Sequence, residues 1–557
     1  MKYPKILLAQ TVVELCKLKG IEHIVISPGS RNAPLIIGFT EAPFFKTYSI
    51  VDERCAGFFG LGIAQQTRKP IALVCTSGSA LLNYYPAIAE AFYSDIPMVI
   101  ITADRPINKI DIGDGQTIRQ PDVFSNHILY SGNLKESIDA QIHNEKIINE
   151  ALNKAKVEKG PVHINVPFEE PLYEIVENSK IAPKIIEPDS LDNEVLKEDT
   201  THFVKAWNAS NKKMVLVGSS YPGSIAKSTI DFLVNDTSVN VFTETTSNTH
   251  GENFFPGIDK IIAPIEKNTE EIAELQPDIL ITFGGMIVSK KIKAFLRSYQ
   301  PQYHFHIDKK KAYDTYFCLT THFKTTPDKF FQEIIPDLKK VKSDYHNKWT
   351  AIKKKREKKH CEYLDKIPFT DLKAYDIVFK TIPENYCLQL SNSSTIRYSQ
   401  LFNLDTTIKV FCNRGTSGIE GSTSTAVGAA VENNTPTILI TGDLSFFYDS
   451  NGLWNQYIPK SFRIIVFNNS GGGIFRILPG TKNTNNFDTY FETKHALSAK
   501  QLCDMYKIQY MTAKNEESLQ KQLKAFYKKA DQPKLLEIFT PRTVNDKVLL
   551  NYFQYLK

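Results

Sequence analysis

Residues 437–473 read TILITGDLSFFYDSNGLWNQYIPKSFRIIVFNNSGGG. Two short apolar runs, TILIT (437–441) and RIIVF (463–467), each close on small polar residues. Such uninterrupted runs bounded by turn-formers are the mark of strands buried on both faces of a parallel sheet. The stretch between them is long enough for one crossover helix, and a single crossover sets both strand ends at the same sheet edge. Asp443 and Asn469 then stand side by side. A carboxylate, an amide oxygen and a nearby backbone carbonyl make the hard oxygen set that Mg²⁺ shares with phosphates. The glycines at 471–473 let the backbone come close to a diphosphate. Two ordinary tight loops would use the same residues.

The same pattern extends outward. HIVIS (23–27), TYSIV (47–51), IALVCTS (71–77), MVIITA (98–103) and VHINV (162–166) form a first set of strand-like runs with helical patterns between most of them. MVLVGSS (214–220), VNVFTET (239–245), ILITFGG (279–285) and YHFHID (303–308) form a second. YCLQLSNSS (386–394), IKVFCNRG (408–415) and KLLEIFT (534–540) complete a third around the opening stretch. Alternating strands and helices imply α/β units with parallel sheets. We expect three doubly wound domains, at 1–180, 200–335 and 366–557. Residues 175–200 lose the periodicity and read as a linker, and 336–365 read as a basic linker helix. Most strands end in Gly, Ser, Asn or Asp, where open parallel sheets bind ligands.

Composition narrows the class. The chain has 557 residues, 42% hydrophobic and 23% charged, with 27 Gly and 28 Pro, as in a globular enzyme. No apolar run approaches the ~18 residues of a membrane span. The N-terminal stretch is interrupted by Gln10 and Glu14 and reads as an amphipathic helix. A cytoplasmic protein is expected. The net charge of +6 comes from residues 339–359, which hold ten Lys/Arg and two acids. Val341, Tyr345, Trp349 and Ile352 form an apolar helical stripe there, so a surface helix with a solvated basic face is favoured over a nucleic-acid patch. Eight cysteines, none in a CxxC pair, give neither a zinc nor a disulfide framework. P-loop, HExxH and strand-following GxGxxG motifs are absent.

A GD pair followed about 25 residues later by NN resembles the diphosphate–metal motif of thiamine-diphosphate enzymes. Glu53 in SIVDERCAGFFGLGIAQ (49–65), followed by the stretch 76–106, resembles the pyrimidine-binding domain of that family. The likeness spans nearly the whole chain and implies pyrimidine-binding, central and diphosphate-binding domains in that order. SPGSR (27–31), TADRP (102–106), GDGQTIRQ (113–120), NRGTSGIEG (413–421), GDLSFFYD (442–449) and NNSGGGIF (468–475) resemble one branch of the family. That branch joins 2-oxoglutarate to isochorismate with loss of CO₂ in menaquinone biosynthesis. Leu444 departs from the Gly of many superfamily members, but fits this branch.

The resemblance implies thiamine diphosphate with Mg²⁺ or Mn²⁺, the metal held by Asp443, Asn469 and Gly471. It makes Glu53 the carboxyl that stabilises the imino form of the cofactor's aminopyrimidine, an acid/base task suited to a partly shielded group. It assigns Ile419 as the wedge beneath the cofactor. Further cofactor contacts are implied at Thr76, Gly78, Ser393, Gly442, Leu444, Ser445, Gly472, Ile474 and Phe475. Both substrates are dicarboxylates, which arginine binds bidentately while staying charged. Arg31, Arg105, Arg397 and Arg414 lie on binding-edge loops, with Lys290 and Lys291 from the central domain; Ser30, Gln116 and Ser393 would add hydrogen bonds. Because cofactor domains in this superfamily usually come from different subunits, a homodimer or homotetramer is implied, with no nucleic-acid or membrane partner. Another 2-oxo acid carboligase or decarboxylase, and a cofactor-binding regulator without activity, remain as alternatives.

Overall fold

The computed structural model describes residues 2–188, 199–478, 480 and 484–557. Strand β1 (Tyr3–Pro4) pairs antiparallel with β8 (Ile175–Val176), so the expected linker begins as a strand that ties the N-terminus down. Its later part, 189–198, lies outside the described residues.

Three larger sheets are each wholly parallel. The first contains β2 (His23–Ile26), β3 (Lys46–Ser49), β4 (Ile71–Cys75), β5 (Met98–Asp104), β6 (Ser131–Asn133) and β7 (Pro161–Pro167) in the order β3-β2-β4-β5-β7-β6. The second contains β9 (Lys213–Val217), β10 (Val239–Thr243), β11 (Ile279–Phe283), β12 (Tyr303–Ile307) and β13 (Leu319–Phe323), ordered β10-β9-β11-β12-β13. The third contains β14 (Cys387–Leu390), β15 (Lys409–Cys412), β16 (Thr437–Gly442), β17 (Arg463–Asn468), β18 (Gln509–Ala513) and β19 (Lys534–Phe539), ordered β15-β14-β16-β17-β19-β18. This is the α/β architecture expected from the sequence. The interior strands β4, β5 and β17 are buried at every residue, as strands covered by helices on both faces must be. Edge strands β6, β13 and β18 were not anticipated; SGN, LTTHF and QYMTA carry too little apolar character to stand out.

Two details differ from expectation. The basic helix spans Tyr345–Leu364, leaving Val341 outside it, and buries Tyr345, Trp349, Arg356, His360 and Leu364. Its inner face is therefore partly polar: Arg356 bonds the C-terminal carbonyls of Leu556 and Lys557, and His360 Nδ1 lies 2.7 Å from the Tyr552 hydroxyl. The crossover between β16 and β17 is also no single long helix. It is a six-residue helix, Asp443–Tyr448, and a 3₁₀ turn, Ser450–Leu453, interrupted where the buried Asp449 carboxylate accepts the Ser424 backbone N–H (2.7 Å) and hydroxyl (2.9 Å).

The outer sheets meet through the helices Glu53–Thr67 and Ser422–Glu432. A Cβ on Gly62 would collide with the Thr425 carbonyl oxygen, and one on Gly428 with the Phe59 carbonyl oxygen. Only glycine permits this main-chain approach. Their shared core includes Phe58, Phe59, Leu61, Ala426 and Val427.

Candidate active site

In the third sheet, parallel pairing of Gly442 with Phe467 sets the ends of β16 and β17 together. The Asp443 carboxylate begins the helix after β16. It accepts the Leu444 N–H at 2.7 Å and the Gly471 N–H at 3.0 Å. His495 Nε2 lies 3.2 Å from its Oδ2. Asn469 donates its Nδ2 to buried Asp371 at 2.9 Å, and Asp371 also accepts the Thr540 hydroxyl at 2.5 Å. That bond fixes the amide so that Oδ1 points the other way, and Asn469 Oδ1 is buried without a hydrogen-bond partner. A buried acceptor without a donor suits a cation. Among the described residues no three His, Cys, Asp or Glu side chains cluster for a metal, so this mixed oxygen set is the candidate centre.

The neighbouring loop is shaped by backbone demands. Gly471 has φ +146°, and a Cβ there would stand 2.7 Å from the Glu492 carbonyl oxygen, which accepts the Gly472 N–H at 2.6 Å. Arg476 and Arg542 clamp the Glu492 carboxylate, each at 2.5 Å. Ile474 and Phe475 follow in a 3₁₀ turn, Gly473–Arg476. Ser445 donates to the Ile419 carbonyl at 2.6 Å, bringing the loop after β15 against the Asp443 helix. Asn392 binds the carbonyls of Asn413 and Gly418, each at 2.7 Å, and accepts Arg414 Nη1 at 2.7 Å. Ser393 beside it is held at φ +67°, a strained conformation of the kind that gathers at functional sites.

The first sheet presents a second edge. Glu53 opens the helix Glu53–Thr67, capped by Asp52, whose side chain accepts the Cys55 N–H. Burial raises the Glu53 carboxyl above its ordinary value, with Asp52 adding to the rise and the residue's own N–H opposing it. Thr76 Oγ1 accepts the Arg31 N–H at 3.2 Å, Gly78 lies against the Gln116 backbone, and the Gly78 N–H reaches Gln120 at 2.9 Å. Ser30 and Gln116 are exposed. Arg31 turns inward, donating to the Phe168 carbonyl at 2.9 Å and to exposed Glu170 at 3.1 Å. The Nε groups of Arg105, Arg397 and Arg414 are buried without partners.

Lys290 and Lys291 begin the helix Lys290–Ser298; Lys290 is exposed and Lys291 pairs with Glu266 at 2.6 Å. Lys293, one helical turn on, lies in the field of Arg397 and Arg414. It escaped the sequence reading, as did Asp371 and His495, because nothing near them in the chain repeats the motif. Among the described residues no hydrogen bond joins Glu53 or Thr76 to Asp443 or Asn469.

Comparison with known proteins agrees with this geometry. Residues 7–126 match the family "Thiamine pyrophosphate enzyme, N-terminal TPP binding domain", and 393–538 match "Thiamine pyrophosphate enzyme, C-terminal TPP binding domain". The chain is a thiamine-diphosphate-dependent enzyme. It is 58% identical to 2-succinyl-5-enolpyruvyl-6-hydroxy-3-cyclohexene-1-carboxylate synthase of Christiangramia forsetii, with 100% of both chains covered. The synthase of Flavobacterium psychrophilum is also 58% identical over 100% of both chains, and that of Porphyromonas gingivalis 37% over 98% of this chain and 96% of its own. The chain belongs to the 2-succinyl-5-enolpyruvyl-6-hydroxy-3-cyclohexene-1-carboxylate synthase family.

Proposed function

We propose that this enzyme joins 2-oxoglutarate to isochorismate with loss of CO₂, in the cytoplasm, using thiamine diphosphate and Mg²⁺ or Mn²⁺. The observation that carries the reading is the pairing of Asp443 with the partnerless, buried Oδ1 of Asn469 at one sheet edge. Bound thiamine diphosphate supplies the nucleophilic carbon and the electron sink for decarboxylation. Asp443, Asn469 and the Gly471 carbonyl would hold the metal, with Asp371 orienting Asn469 from behind. Gly442, Leu444, Ser445 and Gly472 would hold the diphosphate, and Ile419, Ser393, Ile474 and Phe475 would hold the rings. Glu53 would hold a proton toward a pyrimidine ring nitrogen of the bound cofactor, a task for which its raised carboxyl is suited. Thr76 and Gly78 form the wall beside it.

Arg105, Arg397 and Arg414 counter the substrate carboxylates, assisted by Lys290, Lys291, Ser30 and Gln116. Arg31 joins them by exchanging its exposed Glu170 partner for substrate. The Glu53 edge and the Asp443 edge are completed by a second copy of the chain, giving a homodimer or a homotetramer. Exposed Tyr448, Trp454, Leu497 and Met505, at 51%, 51%, 55% and 61%, support such a covered face.

The test is CO₂ release and product mass with cofactor, Mg²⁺ and 2-oxoglutarate, with and without isochorismate. Isochorismate-dependent release with an adduct of the expected mass supports the synthase. Equal release without isochorismate, yielding only succinic semialdehyde, would make the protein a decarboxylase.

A further inference from the structure

Residues 244–248, ETTSN, follow β10 in the central unit and carry none of the chemistry assigned above. Three of their five side chains nevertheless reach three different elements. The Glu244 carboxylate accepts two backbone N–H groups at the start of the helix Lys290–Ser298, from Val288 and Ser289, each at 2.7 Å. Thr245 donates its N–H to Gln400 at 3.0 Å and its hydroxyl to the Ser399 carbonyl at 3.1 Å, where the helix Ser394–Ser399 ends. Asn248 grips the edge strand β15, donating to the Val410 carbonyl and accepting the Val410 N–H, both at 2.8 Å.

These three elements carry the cations of the candidate substrate site. Lys290, Lys291 and Lys293 lie on the first, Arg397 on the second, and Arg414 just past the end of the third. Lys293 and Arg414 open onto one cavity of about 570 Å³. Arg397 and Arg414 both keep a buried Nε without a partner. Beneath them the Ser289 hydroxyl, which caps the lysine helix, donates to Asp259. Asp259 in turn lies in the field of Arg397, and Glu244 in that of Lys293 and Arg414.

A cluster of like charges repels itself and spreads unless its supports are fixed. Here the supports belong to separate elements of two units, so their spacing is not set by any one helix or strand. The five-residue segment sets it. Glu244 is well suited because it is buried and anchored by paired N–H groups. Burial pushes its carboxyl up to about 7, while those donors and Arg414 pull it back and Asp259 adds to the rise.

We propose that residues 244–248 are a positioning segment: Glu244, Thr245 and Asn248 set the spacing of Lys293, Arg397 and Arg414 so that together they select a substrate bearing a second carboxylate. Lys293 is a direct member of that cluster. This rests on the proposed synthase reading and names the part of the fold that confers its dicarboxylate preference.

The experiment compares the holoenzyme with Glu244→Gln and Asn248→Ala, two variants at opposite ends of the segment. For each, inhibition of CO₂ release by 2-oxopentanoate gives the affinity for an acid lacking the distal carboxylate. The KM for 2-oxoglutarate gives the affinity for one that has it, and fluorescence titration gives that for thiamine diphosphate. The expected result is a loss of tenfold or more in the preference for 2-oxoglutarate over 2-oxopentanoate, with cofactor affinity within twofold of wild type. An unchanged preference in either folded variant overturns the proposal. So does an equal loss for both acids, which is the signature of a merely structural role. Wild-type protein that fails to turn over 2-oxoglutarate overturns the synthase reading instead, before any variant is compared.

Discussion

Counted in chain order, the first and third sheets both run second, first, third, fourth, sixth, fifth. Matching strand ends can therefore be laid beside each other. After the first strand stand Ser27 to Arg31 in one sheet and Ser391 to Ser393 in the other. After the second come Glu53 and, opposite it, Asn413 and Arg414. After the third come Thr76 and Gly78 against Asp443, and after the fourth Arg105 against Asn469. One scaffold thus offers a raised carboxyl among hydroxyls at one edge, and oxygen donors for a cation at the other. The strand order dictates where the loops converge, and the loop residues decide what they bind.

Replacing the acidic group of each edge separates their tasks most strongly. Glu53→Gln is expected to lower turnover by about 10²–10⁴-fold with cofactor affinity nearly intact. Asp443→Asn should instead show its main loss in Mg²⁺-dependent cofactor binding. Equal cofactor losses in the two variants would erase the division of labour between the edges.

The kinship of the two sheets is tested at the crossing of their matching helices. Gly62→Val and Gly428→Val should each destabilise the protein by about 3 kcal/mol in urea unfolding, because each Cβ meets a main-chain oxygen and has nowhere to move. The double variant should fall short of the sum, since both act on one contact.

A smaller effect is expected behind the metal edge. Asp371→Ala frees the Asn469 amide to rotate, and Mg²⁺ affinity measured by titration should drop by about 10–100-fold.

The smallest concerns Asp449 at the seam between the sheets. Burial raises its carboxyl to about 6, opposed chiefly by its bonds to Ser424. From pH about 4 to 6 the folded chain keeps a proton that the unfolded chain releases, so this group's contribution to stability falls as pH rises. Asp449→Asn should remove ~1–2 kcal/mol of that decline, seen as a flatter plot of Tm against pH.

Legibility in the sequence followed burial. Central strands such as IALVC and RIIVF are continuous apolar runs, and the order of three α/β units could be read from them. SGN, LTTHF and QYMTA could not, because most of their residues are part-exposed and too few are apolar to form a run. The Asp443–Asn469 juxtaposition was legible because a single crossover fixes it. Arg31's engagement with Phe168 and Glu170 was not, since those partners lie about 140 residues away. Lys293 was not singled out beside Lys290 and Lys291, because sequence adjacency to a loop says nothing of which helix face turns toward Arg397 and Arg414.

The glycine crossing has a consequence of another kind. Main chain rests on main chain there, at Gly62 and Gly428, so the separation of the two outer sheets is measured in covalent dimensions and not in side-chain volumes. Cores drift over generations as leucine gives way to isoleucine or methionine, and helices ride apart or together with them. At these two glycines there is no side chain to exchange. The joint works as a gauge block, holding the angle between a chain's two binding edges constant while the packing around it is free to change.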